Sequence, residues 1–178
     1  MNMKSLEMIQ KTFRVFQILT KIAMILSFVW AGLALLGMLC CVVWYQGGSV
    51  IGADQALLYT LTETNGLTEM IGTLLVEIIA ALTDGILLAF AYSYLKAEQA
   101  DGTPFTHRGA DQIKRLGIRT IVLPLVAVIL MAVVCAGFAL PQGVADTWSN
   151  DFSISLGIVL ILASLIFRYG ADLEATAQ

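Results

Sequence analysis

Four apolar runs constrain this chain more than any other feature. The first, "IAMILSFVWAGLALLGMLCCVVWY", extends from Ile22 to Tyr45 without one charged side chain. The second covers Met70 to Leu95, the third about Ile118 to Leu140, and the fourth Phe152 to Phe167 or slightly beyond. A bilayer core is about 30 Å thick, so a helix rising about 1.5 Å per residue needs about 20 apolar residues to cross it. The first three runs meet that length. The fourth is the shortest, and tilt or local bilayer thinning would accommodate it.

Composition agrees that lipid is the solvent. Hydrophobic residues make up 58% of the 178 and charged residues 13%, against about 25% charged in ordinary soluble domains. Too little polar surface remains to cover a core in water. The net charge of −3 speaks against direct nucleic-acid binding.

The first run reads as a retained helix. It exceeds the about 7 to 15 residues of a signal-peptide core, and no small-x-small cleavage site follows. Leu39 stands where a lipoprotein cysteine at Cys40 would need a small residue.

Basic residues then orient the spans. Lys4, Lys11, Arg14 and Lys21 precede the first run; Lys96, Arg108, Lys114, Arg115 and Arg119 lie between the second and third; Arg168 follows the fourth. Residues 46–69 and 141–151 contain none. Basic segments stay in the cytoplasm, so both termini are expected inside the cell, with the plasma membrane as the location. Trp44, Tyr45 and Trp148 suit aromatic belts at the outer surface. The expected fold is all-α: one integral membrane four-helix bundle spanning 1–178. Its parts are a cytoplasmic flank at 1–21, spans at 22–45 and 70–95, and a cytoplasmic loop at 96–117. Spans at 118–140 and 152–168 and a cytoplasmic tail at 169–178 complete it.

Two cytoplasmic segments have helical patterning of their own. In the flank, Leu6, Ile9, Phe13 and Phe16 recur every three or four residues, apart from Lys4, Lys11 and Arg14. Such a segment either lies in the membrane interface and runs into the first span or serves only as a basic orienting flank. In the loop "KAEQADGTPFTHRGADQIKRLGIR", Asp101-Gly102 marks a turn. Thr103 or Thr106 can cap a short helix with Pro104 in its first turn. Ile113 and Leu116 would face the membrane, and Lys114 and Arg115 water. A short helix is also expected near Gln55–Leu61.

The stretch "DGTPFTHRGADQIKRLGIR" and the ending "LIFRYGADLE" together resemble a bacterial family of small four-pass membrane proteins of unknown function. Its members are often encoded beside a short Cro/CI-type helix-turn-helix regulator. The resemblance covers about a fifth of the chain, as pattern reading alone. It implies a fold, a location and a cytoplasmic partner that binds DNA; it implies no activity.

Catalytic patterns are missing. The sequence holds no GxSxG, HExxH, P-loop or dinucleotide fingerprint. His107 is the only histidine, in a basic loop, with no second imidazole or thiolate near it. No metal or other cofactor is expected, and the chain reads as non-enzymatic. Cys40, Cys41 and Cys135 lie in apolar runs and read as buried thiols.

The second run still contains two acids, Glu77 and Asp84. Seven residues advance about 700° around a helix, about 20° short of two turns, so they share a face. Thr73 lies near that line. Ala81, Gly85, Ala89 and Ser93 continue it at every fourth position as a stripe of small residues, which lets neighbouring helices approach. Ile79, Ile86 and Phe90 point the other way and suit lipid. The acids are therefore expected to turn into the bundle, yet no Lys or Arg lies within the core of a span to pair with them, Arg119 and Arg168 being at the cytoplasmic ends. Asp84 is then either a neutral acid donating to a carbonyl or hydroxyl, with Ser27 and Thr120 as candidates, or a hydrated carboxylate in a cavity.

Two functional readings follow. In the first, the chain is a membrane module that engages a cytoplasmic protein through Pro104, Phe105, Thr106, Arg108, Lys114 and Arg115. In the second, Glu77, Asp84 and Thr73 form a polar intramembrane site in a small ion or proton-coupled channel or transporter subunit, because acids at this depth are rare and mark such paths. The same acids also suit interhelical hydrogen bonding, and a homo-oligomer is compatible with either reading.

Overall fold

Helices account for all the regular structure among the described residues. The structure, a computed structural model, describes residues 3–45, 66–101, 107–140 and 151–176. It contains α1 (Met3–Tyr45), α2 (Leu67–Asp101), α3 (His107–Phe138) and α4 (Asp151–Thr176). Three stretches are long and apolar enough to cross a membrane: Arg14–Val43, Leu67–Ala97 and Arg108–Phe138. The apolar part of α4, Ile154–Gly170, is shorter. The helix expected near Gln55–Leu61 and Trp148 lie outside the described residues.

Two expected boundaries are absent. The flank at 1–21 and the span at 22–45 form one helix of 43 residues, about 64 Å at 1.5 Å per residue. No Gly or Pro occurs before Gly32, so nothing stops the helix where its chemistry changes from basic to apolar. The short loop helix is likewise not separate: α3 runs unbroken from His107 through the third apolar run. Gly117, the residue best suited to interrupt it, is held within the helix by close packing against α4. The second and fourth helices also outrun their apolar cores, to Asp101 and Thr176.

Local chemistry explains the ends. Before α2, Gly66 has φ of 69°, and its carbonyl accepts the Met70 N–H at 3.2 Å. Glu69 in the first turn suits the positive end of the helix dipole. At the end of α3, Ala139 takes the left-handed conformation with φ of 49°. The Leu140 N–H then reaches back to the Cys135 carbonyl at 3.0 Å. That six-to-one bond is the mark of a Schellman cap, and Pro141 prevents further helix. Pro124 is fully buried inside α3. It has no N–H for the Thr120 carbonyl, while the Thr120 hydroxyl donates to the Leu116 carbonyl at 2.9 Å.

The chain divides into two compact units. The first comprises Met1–Leu26, Asp84–Leu125 and Ser149–Gln178. Its tightest contact joins α3 to α4. A Cβ added at Gly117 would lie 2.9 Å from the Gly157 carbonyl oxygen and 3.2 Å from the Ile161 nitrogen. A Cβ at Gly157 would collide with Ile121. Small residues permit this approach of one backbone to another. Ala110, Ile113 and Thr120 on α3 and Ser164 on α4 are buried, so Ile113 packs against protein where the sequence suggested membrane.

The second unit comprises Ser27–Thr83 and Val126–Trp148. Its core joins Val76 and Ala80 of α2 to Ala127 and Met131 of α3. Ile79, Val128, Val134, Cys135 and Leu140 pack around it, and Met131 is wholly buried. Ile79 therefore meets protein and not lipid. Val76, Ala80 and Thr83 fall on one side of α2, and the buried Ala81 falls on another. The single inward stripe expected from the sequence holds only for a helix buried on one side. The described part of α1 adds few buried residues: Ala31 and Cys41. Cys40, expected as a buried thiol, is exposed, because its neighbour Cys41 already occupies the inward position.

Candidate functional site

The two acids of α2 fall in different units, and each has its own surroundings. In the second unit Glu77 is exposed although Val76, Ala80 and Ala81 beside it are buried. At about 100° per residue its side chain emerges between the directions of Ala80 and Ala81. It opens onto a cleft of about 230 Å3 lined by Trp30, Leu33, Ala34, Leu74 and Glu77. The Trp30 indole Nε1–H donates to Glu77 Oε2 at 3.4 Å. Good N–H···O bonds are nearer 2.9 Å, so this one is weak. Trp30 lies in the middle of the α1 apolar run, away from the interfacial level where Trp is usual. That displacement is the one signal in the sequence for a polar partner.

In the first unit Asp84 is exposed, while Gly85 beside it is buried. Among the described residues Asp84 makes no hydrogen bond or ion pair. Thr120, a candidate acceptor, uses its hydroxyl proton on its own helix. The same habit recurs along the bundle. Thr73 donates to the Glu69 carbonyl at 2.9 Å, Thr83 to Ile79 at 2.8 Å and Ser93 to Ala89 at 2.8 Å. These hydroxyls satisfy themselves one turn back, as Ser and Thr commonly do in apolar helices. Thr73 is half-buried, Ala81 and Gly85 are buried, Ala89 is half-buried and Ser93 is exposed.

The basic residues have a clear local architecture. Arg108, Lys114, Arg115 and Arg119 on α3 are exposed. Gly109, Ala110, Ile113, Gly117 and Thr120 on the same helix are buried. At about 100° per residue the buried set covers an arc of about 100°, and the basic set lies within an arc of about 140° on the other side, which it shares with the exposed Asp111 and Ile118. The N-terminal third of α3 is thus pinned to its unit by one face and presents the other. Pro104, Phe105 and Thr106 lie outside the described residues. A second cleft, of about 200 Å3, lies between α2 and α3 in this unit. Phe90, Ser93, Tyr94, Gln112, Arg115, Leu116 and Arg119 line it. The Arg119 guanidinium stacks on the Phe90 ring, 3.9 Å from its centroid. Phe90 therefore meets a cation where the sequence suggested lipid. Arg115 and Arg119, four residues apart, are the sequence signal for this cleft.

Among the described residues no three His, Cys, Asp or Glu side chains come together. No family model matches the chain, and no curated protein or solved structure matches it significantly.

Proposed function

We propose that this chain is a four-pass protein of the bacterial plasma membrane, with both termini in the cytoplasm, that holds a cytoplasmic protein partner at the membrane surface. The observation behind this reading is the basic face of α3. Arg108 and Lys114 stand exposed on a helix whose opposite face is buried and which continues directly into an apolar stretch. A rigid, pre-formed surface loses little entropy on binding. The distribution of basic residues supports the orientation. The 17-residue apolar stretch of α4 reaches the lower limit for a span. The resemblance of the "DGTPFTHRGADQIKRLGIR" stretch to small four-pass proteins supports a DNA-binding regulator as the partner. The module is non-enzymatic in this reading and needs no cofactor.

The test is charge reversal on that face. Arg108→Glu/Lys114→Glu should abolish recovery of a cytoplasmic protein that co-purifies with the wild type from solubilised membranes. Recovery of the same proteins at the same level with both forms would sink the proposal. Reporter fusions after Gln178 and within residues 50–60 test the topology, which requires opposite sides.

The exposure of Glu77 and Asp84 favours a second reading, a proton or cation path completed when copies associate. Acids at this level of an apolar helix are costly when left facing lipid, so a second copy would cover them. Liposomes containing wild type should then leak protons or cations faster than liposomes containing Glu77→Gln/Asp84→Asn. Equal leak in the two preparations excludes the path.

A further inference from the structure

The cleft between α2 and α3 in the first unit has a chemistry that partner docking does not use. Its lining brings together Arg115, Arg119, Gln112 and Phe90, and contains no carboxylate residue. Two arginines four residues apart on a helix have Cβ atoms about 5–6 Å apart, close enough for both to reach one tetrahedral oxyanion. Phe90 fixes one of them. The Arg119 Cζ lies over the Phe90 ring at 3.9 Å from its centroid, a cation–π contact that uses none of the guanidinium's N–H groups as conventional donors. At about 200 Å3 the cleft is smaller than the about 300–1,000 Å3 of drug-sized sites. It suits a small headgroup better than a whole metabolite.

The neighbouring residues set its level. Ile118 and Val122, on the same helix, are exposed apolar side chains, 45% and 49% accessible. Lys114 and Arg115, towards the helix N-terminus, are exposed and basic. The cleft thus sits where α3 changes from a basic surface to an apolar one. In a membrane-spanning chain that is the depth of the lipid phosphates, and basic pockets between helices at this depth suit anionic headgroups.

We propose that this cleft binds a phosphate group, carried by the headgroup of an anionic phospholipid or free in the cytoplasm. Arg115 and Arg119 are the charged ligands, Gln112 is an additional donor, and Phe90 positions Arg119. This rests on the membrane-spanning reading above but not on the protein partner. The Arg108→Glu/Lys114→Glu variant leaves both arginines in place, so the two proposals fail separately.

The experiment uses the full chain purified in a mild non-ionic detergent, with phosphatidylglycerol or phosphatidylcholine added at equal concentration and retained lipid counted by native mass spectrometry. Wild type should retain phosphatidylglycerol in preference. Arg115→Gln leaves the Arg119–Phe90 stack intact and should lower that retention about fivefold, and Arg115→Gln/Arg119→Gln should lower it further, by a similar factor. Arg14→Gln/Lys21→Gln removes the same net charge elsewhere and should change nothing. Equal retention of the two lipids by wild type, or phosphatidylglycerol retention by the Arg115→Gln and double variants within about twofold of wild type, overturns the headgroup as the source, and it overturns the site when inorganic phosphate also gives no Arg115-dependent rise in melting temperature. Inorganic phosphate in lipid-free detergent separates the sources. A rise in melting temperature in wild type but not in Arg115→Gln assigns the site to free phosphate. No rise, with arginine-dependent lipid retention, assigns it to the headgroup. Loss of a co-purifying protein from Arg115→Gln with lipid retention unchanged assigns the cleft to the partner surface and overturns the phosphate site.

Discussion

The α3–α4 crossing and helix α1 use glycine in opposite ways. At Gly117 and Gly157 two backbones meet, and no Cβ fits at either position. At Gly32 on α1 nothing lies within 4 Å of an added Cβ. Both kinds of glycine sit in apolar runs that look alike in sequence. Lipid tails are as apolar as leucine, so helices in a bilayer gain little from hydrophobicity when they pair and depend on close packing. The crossing is held by shape. The described part of α1, whose buried residues are Ala31 and Cys41, offers its surface mainly to solvent or lipid.

Substitutions can break this comparison, beginning at the crossing. Gly157→Val should cost about 3 kcal/mol or more, the upper range for overpacking, because backbone atoms cannot move aside. Gly32→Val should raise stability slightly, by under about 0.5 kcal/mol, because Val is the better helix former of the two and nothing lies near the added side chain. Melting of the purified protein in detergent micelles separates them, and equal melting temperatures would show that the crossing is not what holds α4. Next comes Met131→Ala, which empties the centre of the second unit's core. Outside water most of the transfer penalty disappears and the cavity remains, so about 1–2 kcal/mol is expected. A loss as large as that of Gly157→Val would mean that the core of the second unit matters as much as the glycine contact.

A smaller change tests a helix end. Ala139→Gly should raise stability by about 1 kcal/mol, since a Cβ in the left-handed conformation costs about 1–2 kcal/mol. A lower melting temperature would show that Ala139 does not hold that conformation. The smallest effect is expected at α1. Trp30→Phe removes the donor to Glu77, and a 3.4 Å bond should be worth under about 0.5 kcal/mol. A larger loss would show that α1 is tied to the second unit by this bond more firmly than its exposure indicates.

Much of the helical layout is legible in the residues alone. The third apolar run needs only its length, whereas α2 starts at Leu67, three residues before the expected span. The basic loop is harder. Its residues read as helix-forming, but the change from basic to apolar side chains suggests two elements where there is one. Backbone hydrogen bonding takes no account of that change, so α3 continues through it. The acids illustrate a different limit. Helical spacing places Glu77 and Asp84 relative to their own helix but says nothing about the neighbouring helices. The indole of Trp30 beside Glu77, 47 positions away in sequence, is therefore out of reach. So is the stacking of Arg119 on Phe90.

By itself the sequence determined that the described chain is helical, that three of its stretches are apolar enough to cross a membrane, and that no cation lies within the core of an apolar run to pair with Glu77 or Asp84. Those properties follow from local hydrogen bonding and composition. The tertiary structure alone decided that Gly117 meets Gly157 while Gly32 meets nothing, that α2 is buried on more than one side, and that Arg115 and Arg119 share a cleft with Phe90. The physical reason is that, in a helix apolar enough to cross a membrane, positions with a neighbour and positions without one are equally apolar. Periodicity can then define the faces of a helix, but only the fit of one surface against another determines which face has a neighbour.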